Sequence, residues 1–183
     1  DHAILPETNP YAFDYQVTAD CRKIGNLCGV DATGLAYPCG AYDDVAAEHL
    51  KKLGICYART IEDTNDFALP ENFLKWHPTC HDHAPRINEL TEAFLNGNSN
   101  ELKLFYIWGH SFEFDKNDSD RWAEMDALCK KLSGREDVWY ATNREICNYV
   151  TAARSTDLDA GINNTGIDLF IEKDGEKLVL KKQ

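Results

Sequence analysis

The chain has 183 residues, of which 43% are hydrophobic and 11% aromatic, enough for one sizeable core and too apolar for a disordered polymer. A formal net charge of −12 argues against partners that need clustered Lys and Arg, so neither nucleic acid nor an anionic membrane is expected, and a neutral or cationic ligand suits the surface better. No apolar run is long enough to span a bilayer, so membrane insertion is not expected either. The opening Asp1-His2-Ala3-Ile4-Leu5, without methionine or signal peptide, reads as that of a processed chain, a fragment or a truncated gene model.

Residues 14–28 read as a helix with Gly29 after its end, and 34–38 as a short strand stopped by Pro38 and Gly40. Helical periodicity returns at 44–53 and ends at Gly54; 55–61 is the next strand, and this strand-helix-strand order predicts parallel pairing. Residues 63–86 are irregular and rich in functional side chains, which predicts a long site-forming loop. A helix at 87–95 precedes the aromatic strand 102–108. A second clear helix follows at 120–132, with Trp122, Met125, Leu128, Cys129 and Leu132 spaced to share one face. Residues 138–141 read as a short strand, 143–153 as a helix capped by Thr142 or Asn143, and 167–180 as a hairpin turning at Asp174-Gly175. Alternating strands and helices make the class α/β.

The aromatic strand runs out at Trp108-Gly109-His110, and the C-terminal rim of a buried strand is where α/β proteins place catalytic groups. Past it, Glu113 and Asp115 alternate with Phe112 and Phe114 and would share one side if the strand continued. Three of the six histidines crowd into Trp76-His77-Pro78-Thr79-Cys80-His81-Asp82-His83, where Cys80, His81 and His83 are the right ligand types for zinc without a common zinc spacing. His49, beside Glu48 and two lysines, reads as a solvated helix residue. The seven cysteines include no Cys-x-x-Cys pair, so most are expected to be reduced and buried, which points to a reducing, cytoplasmic compartment.

Several ordered segments resemble the polysaccharide deacetylases of carbohydrate esterase family four, the NodB-homology family. They are Ala36-Tyr37-Pro38-Cys39-Gly40, Tyr57-Ala58-Arg59-Thr60, Trp76-His77-Pro78-Thr79-Cys80-His81, Trp108-Gly109-His110-Ser111-Phe112-Glu113-Phe114 and Trp139-Tyr140-Ala141-Thr142-Asn143. The resemblance implies a distorted (β/α) barrel of the deacetylase type, incomplete at the N-terminus, over residues 1–155, with an appended hairpin segment over 156–183. It implies hydrolysis of N-acetyl groups on an amino-sugar polymer or oligosaccharide, with a divalent metal, zinc by preference, held by an Asp and two His.

His110 corresponds to the family's late histidine, the general acid. His2 corresponds to one metal ligand, with the remaining ligands of the motif outside this chain. Tyr37, Pro38, Cys39 and Gly40 form the segment whose backbone N–H, at Cys39, serves the oxyanion, and His81 belongs to the substrate-binding set. The chain departs from the family pattern where an arginine is usual and Ala36 stands, and Arg59 on the neighbouring strand is expected to supply the guanidinium. Asp63-Thr64-Asn65-Asp66-Phe67 resembles an Asp-x-x-x-Trp motif with Phe67 in place of tryptophan, and Trp108 stands where a pocket leucine is usual; Phe67 and Trp108 would then wall an acetyl pocket. Two other readings stay open: a carbohydrate-binding or structural domain that keeps the fold without catalysis, and an unrelated metal module on Cys80, His81 and His83.

Overall fold

Residues 2–97, 101–115, 120–158, 160–173 and 175–183 are described by a computed structural model, in which the chain divides into two compact units, Asp1–Trp139 and Tyr140–Gln183.

The first unit begins with helix α1, Pro10–Cys28, whose start is fixed by Asn9: its side chain accepts from the Ala12 N–H at 3.0 Å, and Pro10 follows at the first helical position. Gly29, at φ +69°, ends it in the left-handed conformation. α1 lays Phe13 and Val17 against Ala46 and Leu50 of α2 (Asp44–Lys52), with Ala58 and Leu74 completing the core. Asp43 caps α2 by accepting from Ala46 N–H at 2.7 Å. His49, expected to face water, instead stacks on Phe13 at 4.5 Å and pairs with Asp14 at 2.5 Å, because α1 covers that face.

Strands β1 (Gly34–Ala36) and β2 (Tyr57–Arg59) pair in parallel around α2, as the crossover predicts. The next strand was not expected. Residues 76–81, placed in a loop by the sequence, run parallel to β2: Trp76 N–H donates to Ala58 O and Thr60 N–H to Trp76 O, and the run ends in β3 (Cys80–His81). A proline inside it hides the strand, since Pro78 has no N–H for the ladder. The next donor in that alternation would reach the Thr60 carbonyl, and the Arg59 guanidinium supplies it instead, donating from Nη1 at 2.9 Å. On the other edge β3 pairs in parallel with β4, Ile107–Trp108. Four parallel segments thus follow one another in chain order, with their C-terminal ends on one side. No closed barrel forms among the described residues.

Helix α3 spans Ile87–Asn96 and α4 Arg121–Leu132. Of the face expected on α4, Met125, Leu128 and Leu132 are half-buried, whereas Trp122 and Cys129 are exposed and the buried residue is Arg121. The strand expected at 138–141 joins no ladder among the described residues. The cysteines are thiols as expected, but only Cys80 and Cys147 are buried.

The second unit holds α5, Asn143–Ser155, grouped with the hairpin although the sequence reading kept it with the barrel part. Thr142 caps α5 in a reciprocal box with Glu145. Strands β5 (Leu169–Lys173) and β6 (Glu176–Leu180) pair antiparallel about Gly175, at φ +79°; Asp174, the other expected turn residue, lies outside the described residues. Asn163, 1% exposed, ties the unit together: its Nδ2 donates to Ile167 O and Leu180 O, both at 2.8 Å, and its Oδ1 accepts from Thr165. No helix among the described residues is long and apolar enough to cross a membrane.

Candidate functional site

The C-terminal ends of β1 to β4 carry most of the residues singled out above. After β1 the chain turns at Pro38–Gly40, with Cys39 at φ +56° and Gly40 at φ +72°. A side chain at Gly40 would meet Ile61 at 2.3 Å, so only glycine serves both that conformation and that approach. Tyr37 is turned inward, 2% exposed, donating its hydroxyl to Leu74 O at 2.8 Å; burial pushes its ionisation upwards, so it acts as a core residue that anchors the turn. The His2 Nδ1 lies 3.7 Å from the Cys39 sulfur, bringing together two residues 37 positions apart.

Arg59 is the register partner of Ala36, so its guanidinium stands on the strand next to the departure noted in the sequence. It lies 4.5 Å above the Trp108 ring, and burial lowers its pKa. The Trp108 indole N–H donates to Asp63 Oδ1 at 2.8 Å, while Asp63 Oδ2 accepts from the His81 backbone N–H at 2.9 Å. One carboxylate therefore locks the ends of β3 and β4 to the loop after β2. Phe67 does not join Trp108: it packs on Phe94 at 5.6 Å and Phe105 at 5.7 Å. The acetyl pocket expected from both residues is not assembled in this arrangement.

His81 is the centre of the polar network. Its ring meets the Trp108 ring edge-on at 4.6 Å, its Nδ1 lies 3.0 Å from Asp82 Oδ1, and its Nε2 lies 3.3 Å from Glu113 Oε2. Asp82 is fixed by Arg121 at 2.9 Å, both side chains being 4% exposed. The His83 N–H also points at His81 Nδ1, at 3.1 Å. In that bond Nδ1 is the acceptor, whereas its contact with Asp82 is an ion pair only when the ring is protonated. Cys80, next in sequence, faces the other way and is fully buried; burial, with the charges of Asp63 and Asp82, pushes its thiol up to about 11. The expected Cys80-His81-His83 grouping is thus split by the alternation of the strand, and the described residues gather a different trio, His81, His110 and Glu113.

Glu113 reaches His81 because Ser111–Glu113 is a 3-10 turn, not an extension of the strand; Asp115 goes elsewhere, accepting from the Trp122 indole at 3.4 Å. Glu113 Oε2 also lies 3.5 Å from His110 Nδ1. Burial alone would raise the Glu113 pKa, but the His81 and His110 imidazoles and the His110 backbone N–H outweigh it and hold the carboxyl below its ordinary range. An open cleft of about 480 Å³ lies against this network, lined by Asp63, His81, His83, Phe112, Glu113 and Arg121. Sequence reasoning missed Asp82, Gly109 and Arg121. The signal available was the glycine between Trp108 and His110: a Cβ there would lie 2.3 Å from Asp82 Oδ2.

Comparison with protein-family models, curated proteins and solved structures finds no match to this chain.

Proposed function

We propose that this chain carries the carbohydrate-facing part of an N-deacetylase, a hydrolase that removes N-acetyl groups from an amino-sugar polymer or oligosaccharide, built on the distorted (β/α) barrel that the sequence resemblance implies. One observation carries the reading. The matching segments, dispersed from His2 to His110, meet at the C-terminal ends of parallel strands, where barrel enzymes keep their chemistry.

In this reading Trp108, pinned by Asp63 and covered by Arg59, is a preorganised wall for the acetyl group, and the Cys39 turn offers its backbone N–H to the carbonyl oxygen. His110, with Nδ1 turned to Glu113, gives a proton to the departing amine. The divalent metal implied by the resemblance is a separate matter: His2 has the Cys39 thiol beside it, and the one metal-competent trio among the described residues does not include it. The residues at His2 do not fit that metal by themselves. This same observation favours the second reading, a carbohydrate-binding domain without catalysis.

Acetate release from N-acetylglucosamine oligomers by the protein, measured beside oligomer binding, separates the two. Release that His110→Ala abolishes supports the deacetylase; binding without release supports the binding domain; neither overturns both.

A further inference from the structure

Glu113 presents a feature that its contact with His110 does not account for. Its Oε2 is closed off from solvent and accepts no hydrogen bond from a described residue, although two imidazole nitrogens lie 3.3 and 3.5 Å away. A buried carboxylate oxygen without a hydrogen-bond donor is unfavourable unless a cation, an imidazolium or a metal ion, stands beside it.

The neighbours are set as metal ligands are set. Asp82 Oδ1, 3.0 Å from His81 Nδ1, is placed to hold that nitrogen when a cation takes Nε2, which lies 3.3 Å from Glu113 Oε2. Asp82 is held in turn by Arg121, which gives the carboxylate–histidine pairing that orients an imidazole towards a metal. A tetrahedral zinc ion, with bonds of about 2.0–2.1 Å, keeps its ligand atoms roughly 3.3 Å apart. The three ligand atoms here all lie within 4.8 Å of one another, and Glu113 is already at that spacing from both rings.

We propose that His81 Nε2, His110 Nδ1 and Glu113 Oε2 form a binding site for a divalent transition metal of zinc's chemistry, its fourth position open to the cleft. This site is distinct from the one the sequence resemblance attaches to His2. A metal here takes up His110, so it competes with the proton donation proposed above and inhibits that reaction. The binding itself needs no substrate and stands or falls apart from the deacetylase reading.

The test is a Co²⁺ titration of the whole chain under a phosphine reductant, followed by calorimetry and visible absorption. One equivalent is expected to bind. Loss of a second-shell partner typically weakens a metal site about 10–100-fold, so removing a ligand by Glu113→Gln or His110→Ala is expected to weaken it at least about 100-fold. His2→Ala, Cys39→Ser and His83→Ala should bind as the unaltered chain does. Tryptophan fluorescence during urea unfolding checks that each variant is folded. The proposal is overturned if the chain binds no Co²⁺, if folded Glu113→Gln and His110→Ala both bind it normally, or if His2→Ala or Cys39→Ser removes the binding.

Discussion

Replacing Gly109 by alanine places a methyl group 2.3 Å from Asp82 Oδ2 and 2.4 Å from its Cγ. Gly109 is not among the glycines with positive φ, so alanine introduces no backbone strain and the clash stands alone. Asp82 has nowhere to go: its N–H donates to Trp108 O at 2.7 Å, and its carboxylate holds Arg121 with both side chains 4% exposed. Overpacking a tight site typically costs about 1–3 kcal/mol, and breaking a buried ion pair about 3–5 kcal/mol. A loss of about 3 kcal/mol is expected, because the carboxylate must either be compressed or leave Arg121. All four tryptophans lie in the first unit, so their fluorescence follows that unit alone during urea unfolding. At a slope of about 2 kcal/mol/M the midpoint should fall by roughly 1.5 M. In an Asp82→Ala background the methyl group meets no carboxylate, and adding Gly109→Ala should change little. An unchanged midpoint for Gly109→Ala, or an equally large effect in the Asp82→Ala background, refutes the reasoning.

His110→Ala should lower deacetylation by roughly 10²–10⁴-fold without moving the urea midpoint, the signature of a lost proton donor; normal turnover returns His110 to a merely structural place. Asn163→Ala leaves the carbonyls of Ile167 and Leu180 without their amide donor and should destabilise the second unit by about 2–3 kcal/mol, read as broadened amide resonances of the hairpin; a native-like spectrum and melting curve count against it. Cys80 keeps its proton in the folded chain up to about 11, whereas an unfolded thiol loses it near about 8.5. Its contribution to stability is therefore fully present below about 8.5 and is lost as pH rises towards about 11, a slope that Cys80→Ser should remove. At pH 8 a thiol reagent should label Cys28 and Cys129 in the native chain and Cys80 only after unfolding; rapid native labelling of Cys80 contradicts its burial.

What was legible in the sequence is what local chemistry decides. α2 stops at Gly54, α5 starts at the Thr142 box, and the hairpin turns about Gly175, each from signals within a few residues. The run 76–81 was not legible, because a proline ordinarily argues against an inner strand; here the missing donor is replaced by the side chain of Arg59, one strand away. The trio of His81, His110 and Glu113 was hidden for a related reason. Extending the strand alternation past Trp108 sends Glu113 and Asp115 to one side, but a 3-10 turn of three residues sends one carboxylate to His81 and the other to Trp122.

Gly109 sets the place of Asp82 behind this trio. Asp82 fits against the chain there because Gly109 has no side chain, and that close approach buries Asp82 with Arg121 behind His81. A glycine in this place, between an aromatic strand end and a histidine, reads in sequence as a simple break. In the fold it is what lets an aspartate from one strand end stand behind the imidazole that faces Glu113 from the other, so the polarity of the cleft depends on an absent methyl group as much as on the charged residues lining it.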